Sequence, residues 1–436
     1  MSKYFRYLFL VALVCLLVVE GVMLIMGYEG FMHGIIALTG KEQYKQDIFR
    51  LVPASKFRLA MVIGGGMAVA CFVLLRKSDL VYNGLRYMAS DLLTSGGRAA
   101  RELFRLPSVL LLVIPLGLAV GCAIVLPVSY DEAWMYCNFT TKGLMISYLY
   151  YPAPNNHVLH SMLTNLAALL PIGDPLIRVR LVSVLAFFFS IICSYHLVRK
   201  CSGEKPAVVV TCIFATLWMS IYYSYAARGY GLVMLCFILS CNMAFNIVFR
   251  GNRGRDWFWF GVSSVLGFCT IPSFLYPFLT LNLLIFRRTI PAIKRQLLTN
   301  VGVFLAVVLF YLPIAIVNGV DALTNNPYVT PVSRSLVMQK LPEFLRGSLE
   351  DLTGFSWIAI AFLLVVSIVV AYIRGLRHHL LLSLVFLTAP SILLIAHSVI
   401  PFSRTFFYYN FIIPCLLVMP WADDLLRLRY RVLMPL

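Results

Sequence analysis

Residues 107–134 read PSVLLLVIPLGLAVGCAIVLPVSYDEAW. No residue from Pro107 to Val128 is charged. A helix of about 20 apolar residues, rising about 1.5 Å at each, crosses the ~30 Å hydrocarbon core of a bilayer. This run is therefore long enough to span, and Asp131 and Glu132 follow it at once. Beyond them lies YLYYPAPNNHVLH, residues 148–160, rich in aromatics, Pro, Asn and His. Two carboxylates at the exit of a span, ahead of such a cluster, put proton-transfer chemistry at a membrane surface.

The rest of the chain agrees with that reading. Of its 436 residues 61% are hydrophobic and only 12% charged, against about 25% charged in a soluble domain. Mean hydropathy is +0.87. These values describe an all-α polytopic membrane protein. Apolar runs at 5–27, 57–75, 107–128, 176–198, 206–224, 231–249, 257–270, 274–287, 298–318, 356–373, 379–398 and 402–421 predict about twelve spans. The runs at 257–270 and 274–287 are short, consistent with tilted spans or a hairpin turning at TIPSFLYP, residues 270–277.

The net charge of +18 lies mainly in short loops between apolar runs. That is the pattern that orients a membrane protein, with Lys and Arg kept inside. Anionic lipid on the cytoplasmic leaflet accounts for it without nucleic acid. The bias places both termini in the cytoplasm and puts 28–56, 129–175, a turn near 225–230, 319–355 and a turn near 399–404 outside. Three parts result: a two-span extension with a cytoplasmic amphipathic loop (1–106), a core (107–421) and a cytoplasmic tail (422–436). Residues 155–170 have a helical period but proline-rich flanks that must both lie outside. They read as a helix lying at the outer interface, capped by Asn155 after the breaks at Pro152 and Pro154.

Ionisable residues are scarce inside the spans. Glu20 is the main exception and reads as an end-of-helix carboxylate reaching outward. Such scarcity argues against an ion-driven pump, which keeps acids and bases near the midplane. Eleven cysteines are present, but only Cys137 falls outside, so no external disulfide within the chain is expected. The glycines at 64–66 point to close helix packing. Residues 80–105 read as a basic surface helix. The NFT at Asn138 is a glycosylation sequon that matters only in a eukaryotic secretory pathway. The long polar segment 319–355 is expected to cover a cavity.

The order of the external motifs resembles that of membrane-embedded glycosyltransferases of the GT-C class, a group that includes bacterial protein mannosyltransferase-like enzymes. YDEAW (130–134) is similar to the acidic motif of their first large external loop. The stretch from Tyr151 to Gly203 resembles the proline-led interfacial helix and Arg-bearing span entry that follow. WMSIYYSYAARGYGLVML (218–235) and PFSRTFFYYNFIIP (401–414) resemble later external turns, each with an Arg. The chain departs in having two spans before the acidic loop and no external soluble domain, which leaves the acceptor open.

The resemblance implies a sugar carried on a polyprenyl phosphate and moved to a hydroxyl of a glycan, lipid or protein outside the cytoplasm. It also implies a bacterial inner membrane with the site facing the periplasm. Asp131 is then the general base for an inverting displacement, and Glu132 supports it. His157, Asn156, Arg180, Arg228, Tyr230 and Arg404 are the candidates for the donor phosphate and sugar. Arginine suits the phosphate because its planar fork pairs two oxygens and stays charged. Arg178 and Arg180 lie two apart, so at most one of them faces a shared cavity. No cofactor is expected. A divalent metal near His157 and His160 is a lesser option, and the competing class is a transporter or flippase of lipid-linked sugars.

Overall fold

A computed structural model of the chain describes residues 2–39, 42, 45–103, 109–152, 155–171, 173–251, 253–286, 289–324 and 329–427. Pro107, Pro154 and the end of the tail, 428–436, lie outside the described residues. Among the described residues the chain is helical and holds no strand. It forms two compact units, 1–97 and 98–436.

The first unit holds α1 (Ser2–Thr39), α2 (Lys45–Leu51), α3 (Ala54–Arg76) and most of α4 (Ser78–Leu103). Two of its helices, Phe9–Leu38 and α3, are long and apolar enough to span. The first does not stop at Gly27 as the hydropathy suggests. It bends there through a left-handed residue (φ 61°) and continues to Thr39, which only glycine does at little cost. Glu20 therefore lies well inside the helix rather than at its end. It packs on the expected glycine site: a Cβ added at Gly64 would collide with Glu20 Oε1. The loop before α3 is pinned by the Tyr28 hydroxyl, which donates to the Val52 carbonyl (2.7 Å), and by Phe57 packed on Tyr28 and Phe31.

The second unit runs through α5 (Leu110–Val125), α6 (Tyr130–Asn138), α7 (Leu144–Leu149), α8 (Val158–Ala168), α9 (Pro175–Ser202), α10 (Glu204–Thr216), α11 (Trp218–Tyr225), α12 (Tyr230–Phe249), α13 (Gly254–Thr270) and α14 (Leu275–Ile285). It continues as α15 (Ile290–Asn318), α16 (Asp321–Thr324), α17 (Arg334–Thr353), α18 (Trp357–Ile373), α19 (Arg377–His397), α20 (Tyr409–Val418) and α21 (Ala422–Arg427). Helices α9, α12, α15 and α19 qualify as spans by length and composition. Three bent pairs also qualify if each counts as one span: α5 with 130–142 (72°), α10 with α11 (68°) and α17 with α18 (93°).

Over both units the candidate crossings number six, or up to nine with the bent pairs, against the twelve expected. The described residues of all twelve apolar runs are largely helical. Several of the helices are short, however, because the chain turns: α13 and α14 are separated by a tight turn at Pro272–Phe274, inside TIPSFLYP. Segment 319–355 is also not an open loop. Most of it is α17, whose Ser333 cap accepts from Leu336 N–H.

The core of this unit is aromatic, with Phe214, Phe237, Phe260, Phe274, Phe386 and Phe411 fully buried. Small hydroxyl residues sit where helices approach. Ser190 and Thr280 return their hydroxyls to carbonyls one turn back, while Ser240 and Ser263 bond across α12 and α13 (2.8 Å). This is how polar groups persist at helix contacts in lipid. All eleven cysteines are free.

Candidate functional site

The site begins with the start of α6. Ser129 is the cap: its hydroxyl accepts from Glu132 N–H (3.4 Å), and Glu132 Oε2 accepts from Ser129 N–H (2.9 Å). This reciprocal box satisfies two of the amide groups a helix start leaves unpaired. It assigns capping to Ser129 and Glu132 and leaves the Asp131 carboxylate free of that work.

Glu132 does more than cap. Its Oε1 accepts from Arg180 Nε (2.9 Å) and from Ala227 N–H (2.8 Å), and its Oε2 from Arg180 Nη2 (2.9 Å). Arg180 in turn donates from Nη1 to the carbonyls of Ala123 and Leu126, and from Nη2 to that of Pro127. All five guanidinium protons are therefore used, and both residues are buried to within 1%. Burial alone raises the Glu132 carboxyl, but hydrogen bonds from Arg180, Ser129 and Ala227 outweigh it and hold the group below its ordinary range. Arg180, expected to meet a donor phosphate, instead locks the end of α5, the start of α6 and the turn at 226–229 together. Arg178 points elsewhere and donates to the carbonyls of Ala168 and Leu170 at the end of α8. The two arginines point to different partners, as a two-residue offset on a helix requires.

The 226–229 turn is held by side chains from two helices, α6 and α9, and from the residue before a third, α8. Glu132 takes the Ala227 N–H, Ser183 donates to the Ala226 carbonyl (2.6 Å), and His157 Nδ1 accepts from Gly229 N–H (2.9 Å). Gly229 is required there, because a Cβ would lie 2.9 Å from that of His157 and 2.8 Å from the Thr270 methyl. The turn carries Arg228, itself buried, whose Nη2 donates to Asn155 Oδ1. Asn155 therefore serves Arg228 rather than capping α8, whose cap position belongs to His157. Asn156 is fully occupied within the protein: it donates to the Ser147 and Tyr150 carbonyls and accepts from the Ser161 hydroxyl.

The stretch that supplies these groups is tied down. The Tyr148 hydroxyl donates to the Phe310 carbonyl (2.8 Å), and Asn318 exchanges bonds with Tyr151 N–H and the Leu149 carbonyl. Residues 148–151 are thus tied to α15, and residues 155 and 157 to the turn that carries Arg228. Ser183, Asn318 and the Ala227 amide join the site with no local spacing to mark them.

Two histidines face inward. Since Gly229 donates to His157 Nδ1, the neutral ring carries its proton on Nε2, 3.4 Å from Arg228 Nη2. The Ser183 proton goes to Ala226, so His160 Nε2 donates to Ser183 (3.3 Å). Burial, then the charge of Arg228, pushes His160 down to about 3 from its ordinary 6.5. Burial, then Arg228, His160 and Arg404, also drives His157 well down. Above 6.5 the stability of the neutral folded pair is fully present. As pH falls below 6.5 the unfolded chain takes up protons that the folded chain refuses, at up to about 1.4 kcal/mol per pH unit per group. The melting temperature is expected to fall steadily from pH 6.5 to 5 and less steeply in His160→Asn; equal slopes would show that His160 does not titrate this way.

Asp131 is partly open, 31% exposed. Its Oδ2 is 3.6 Å from Arg228 Nη2 and 3.6 Å from Arg404 Nη1. Arg404 also packs on Phe402 (4.5 Å). Tyr230 meets the His157 ring edge-on at 5.0 Å and lies 4.5 Å from Tyr223. An open cleft of roughly 350 Å³ has Arg404 and Tyr223 among its walls, with Trp218, Tyr222 and Asp351. Asp351 accepts from the Ser403 hydroxyl (2.7 Å) and so helps to hold the Arg404 turn. The structure brings Asp131, His157, Arg228, Tyr230 and Arg404 together, from parts of the chain up to 273 positions apart (131 to 404). It sets Glu132, Arg180 and Asn156 behind them as bracing.

Among the described residues no group of three His, Cys, Asp or Glu side chains is placed to hold a metal. Both nitrogens of His157 and Nε2 of His160 face Gly229, Arg228 and Ser183, while His160 Nδ1 has no hydrogen-bond partner. No protein-family model, curated protein or solved structure matches the chain. The chemistry of the site therefore rests on its own geometry.

Proposed function

We propose that the protein is a membrane glycosyltransferase that moves a sugar from a polyprenyl-phosphate carrier to a hydroxyl acceptor on the outer face of the membrane. The observation that carries this reading is the Asp131 carboxylate set between two guanidiniums from turns distant in sequence, Arg228 and Arg404, each at 3.6 Å. A lone partly exposed carboxylate can take a proton from an attacking hydroxyl. Two arginines beside it can hold the phosphate that leaves. The hydroxyl oxygen bonds to the anomeric carbon, the carbon–oxygen bond to phosphate breaks on the opposite face, and the proton passes to Asp131. The anomeric centre inverts.

In this reading Arg228, Arg404, His157 and Tyr230 bind the donor headgroup, and Glu132 and Arg180 position the turn that carries Arg228. The short helices α13, α14 and α20 supply the remaining crossings of a twelve-span arrangement with both termini inside. The membrane is a bacterial inner membrane and the site faces the periplasm. No metal takes part.

Arg228→Ala should weaken apparent donor affinity about 10- to 100-fold, the worth of a charge-assisted hydrogen bond. The measurement is the KM for a polyprenyl-phosphate sugar in proteoliposomes. An unchanged KM in a folded variant removes Arg228 from the donor site.

A further inference from the structure

Two acid–arginine contacts stand side by side in this site and differ in kind. Glu132 and Arg180 meet at 2.9 Å, buried and hydrogen-bonded on both oxygens. The nearest Asp131 oxygen, Oδ2, stands 3.6 Å from both Arg228 and Arg404, beyond the 2.7–2.9 Å of a charge-assisted hydrogen bond. It is held by charge alone between two cations.

The cations are under-supplied with acceptors. Arg228 Nε and Arg404 Nε are shielded from solvent and lack a hydrogen-bond partner, although the Arg228 side chain is only 3% exposed. The Nε2–H of His157, buried and 3.4 Å from Arg228 Nη2, faces another donor rather than an acceptor. Buried donors left without acceptors are destabilising. A planar carboxylate at that distance satisfies none of them. A tetrahedral oxyanion offers several oxygens in different directions and suits such a set. Charge agrees: two arginines face one carboxylate, and His157 is kept neutral.

We infer that Asp131 is a stand-in anion, and that a phosphate group displaces it from between Arg228 and Arg404, freeing its carboxylate to accept a proton. This rests on the function proposed above and adds an order to it. The phosphate-bearing donor enters first, because until then the base is neutralised by the arginines the donor needs. An acceptor hydroxyl arriving alone meets a carboxylate already engaged.

The test is a binding measurement that needs no turnover. The full chain in nanodiscs is titrated with an isoprenyl monophosphate and, separately, with inorganic phosphate. Wild type, Asp131→Asn and Arg228→Gln are compared after each is shown to be folded by its melting curve. Removing the internal anion should tighten phosphate binding about tenfold in Asp131→Asn. Arg228→Gln should weaken it by a similar factor. A gain with both probes assigns the exchange to the phosphate itself; a gain with the isoprenyl probe alone assigns it to a lipid-borne phosphate. Binding in Asp131→Asn no tighter than wild type with either probe overturns the inference. Failure of the base assignment looks different: Asp131→Asn would then bind phosphate more tightly and still transfer sugar at the wild-type rate.

Discussion

Asp131→Asn is expected to lower sugar transfer by about 10²–10⁴-fold, the usual contribution of a general base, with little change in melting temperature. Both halves of this expectation follow from the start of α6. Capping belongs to Ser129 and Glu132, so an amide at 131 leaves the helix start intact. The carboxylate makes no hydrogen bond that holds another element, only the two long contacts to Arg228 and Arg404. An asparagine is nearly the same size but cannot take the hydroxyl proton. Initial rates in proteoliposomes beside a thermal melt check the prediction. A fall in rate matched by a collapse in melting temperature would make Asp131 a structural residue instead.

The opposite behaviour is expected one residue on. Arg180→Met should destabilise the protein by about 3–5 kcal/mol, because it leaves the Glu132 carboxylate buried without its cation. Transfer should fall with it as the 226–229 turn loosens. Exchanging both partners for apolar residues should not restore the fold. The pair also satisfies Ser129 N–H, Ala227 N–H and the carbonyls of Ala123, Leu126 and Pro127, and these would remain unpaired. A melting temperature within a degree or two of wild type for Arg180→Met would contradict the bracing role. The two neighbouring acids thus divide into one that holds the site and one that faces it.

Much of that division is written locally. The S-x-x-E spacing of Ser129 and Glu132 is by itself a capping-box signature, and it separates Glu132 from Asp131. The two-residue offset of Arg178 and Arg180 similarly requires different faces. What local pattern does not carry is which partner each side chain meets. Glu132 finds Arg180 across 48 positions and the Ala227 amide across 95. Arg180 looks like a phosphate ligand by type and place, and only the closing of α5, α6 and α9 around it uses up its donors. Asn155 has the composition of a helix cap, yet tertiary contact gives it to Arg228.

The span count follows the same logic. Hydropathy registers apolar runs but not the bends at 126–129, 217 and 354–356 that break three of the candidate crossings. Nor does it show that a left-handed glycine lets α1 turn and continue past residue 27. The helix within 155–170 is readable because proline flanks and helical period agree, and α8 lies there.

The central claim is a direct displacement at the anomeric carbon, assisted by one carboxylate. Retention would need a second carboxylate about 5–5.5 Å from the first to act as nucleophile, and the nearest acid in sequence, Glu132, is bonded on both oxygens. The most direct measurement is the anomeric configuration of the first product, read by NMR, against that of a configurationally pure polyprenyl-phosphate sugar. Inversion is the predicted result. Retention would contradict direct displacement.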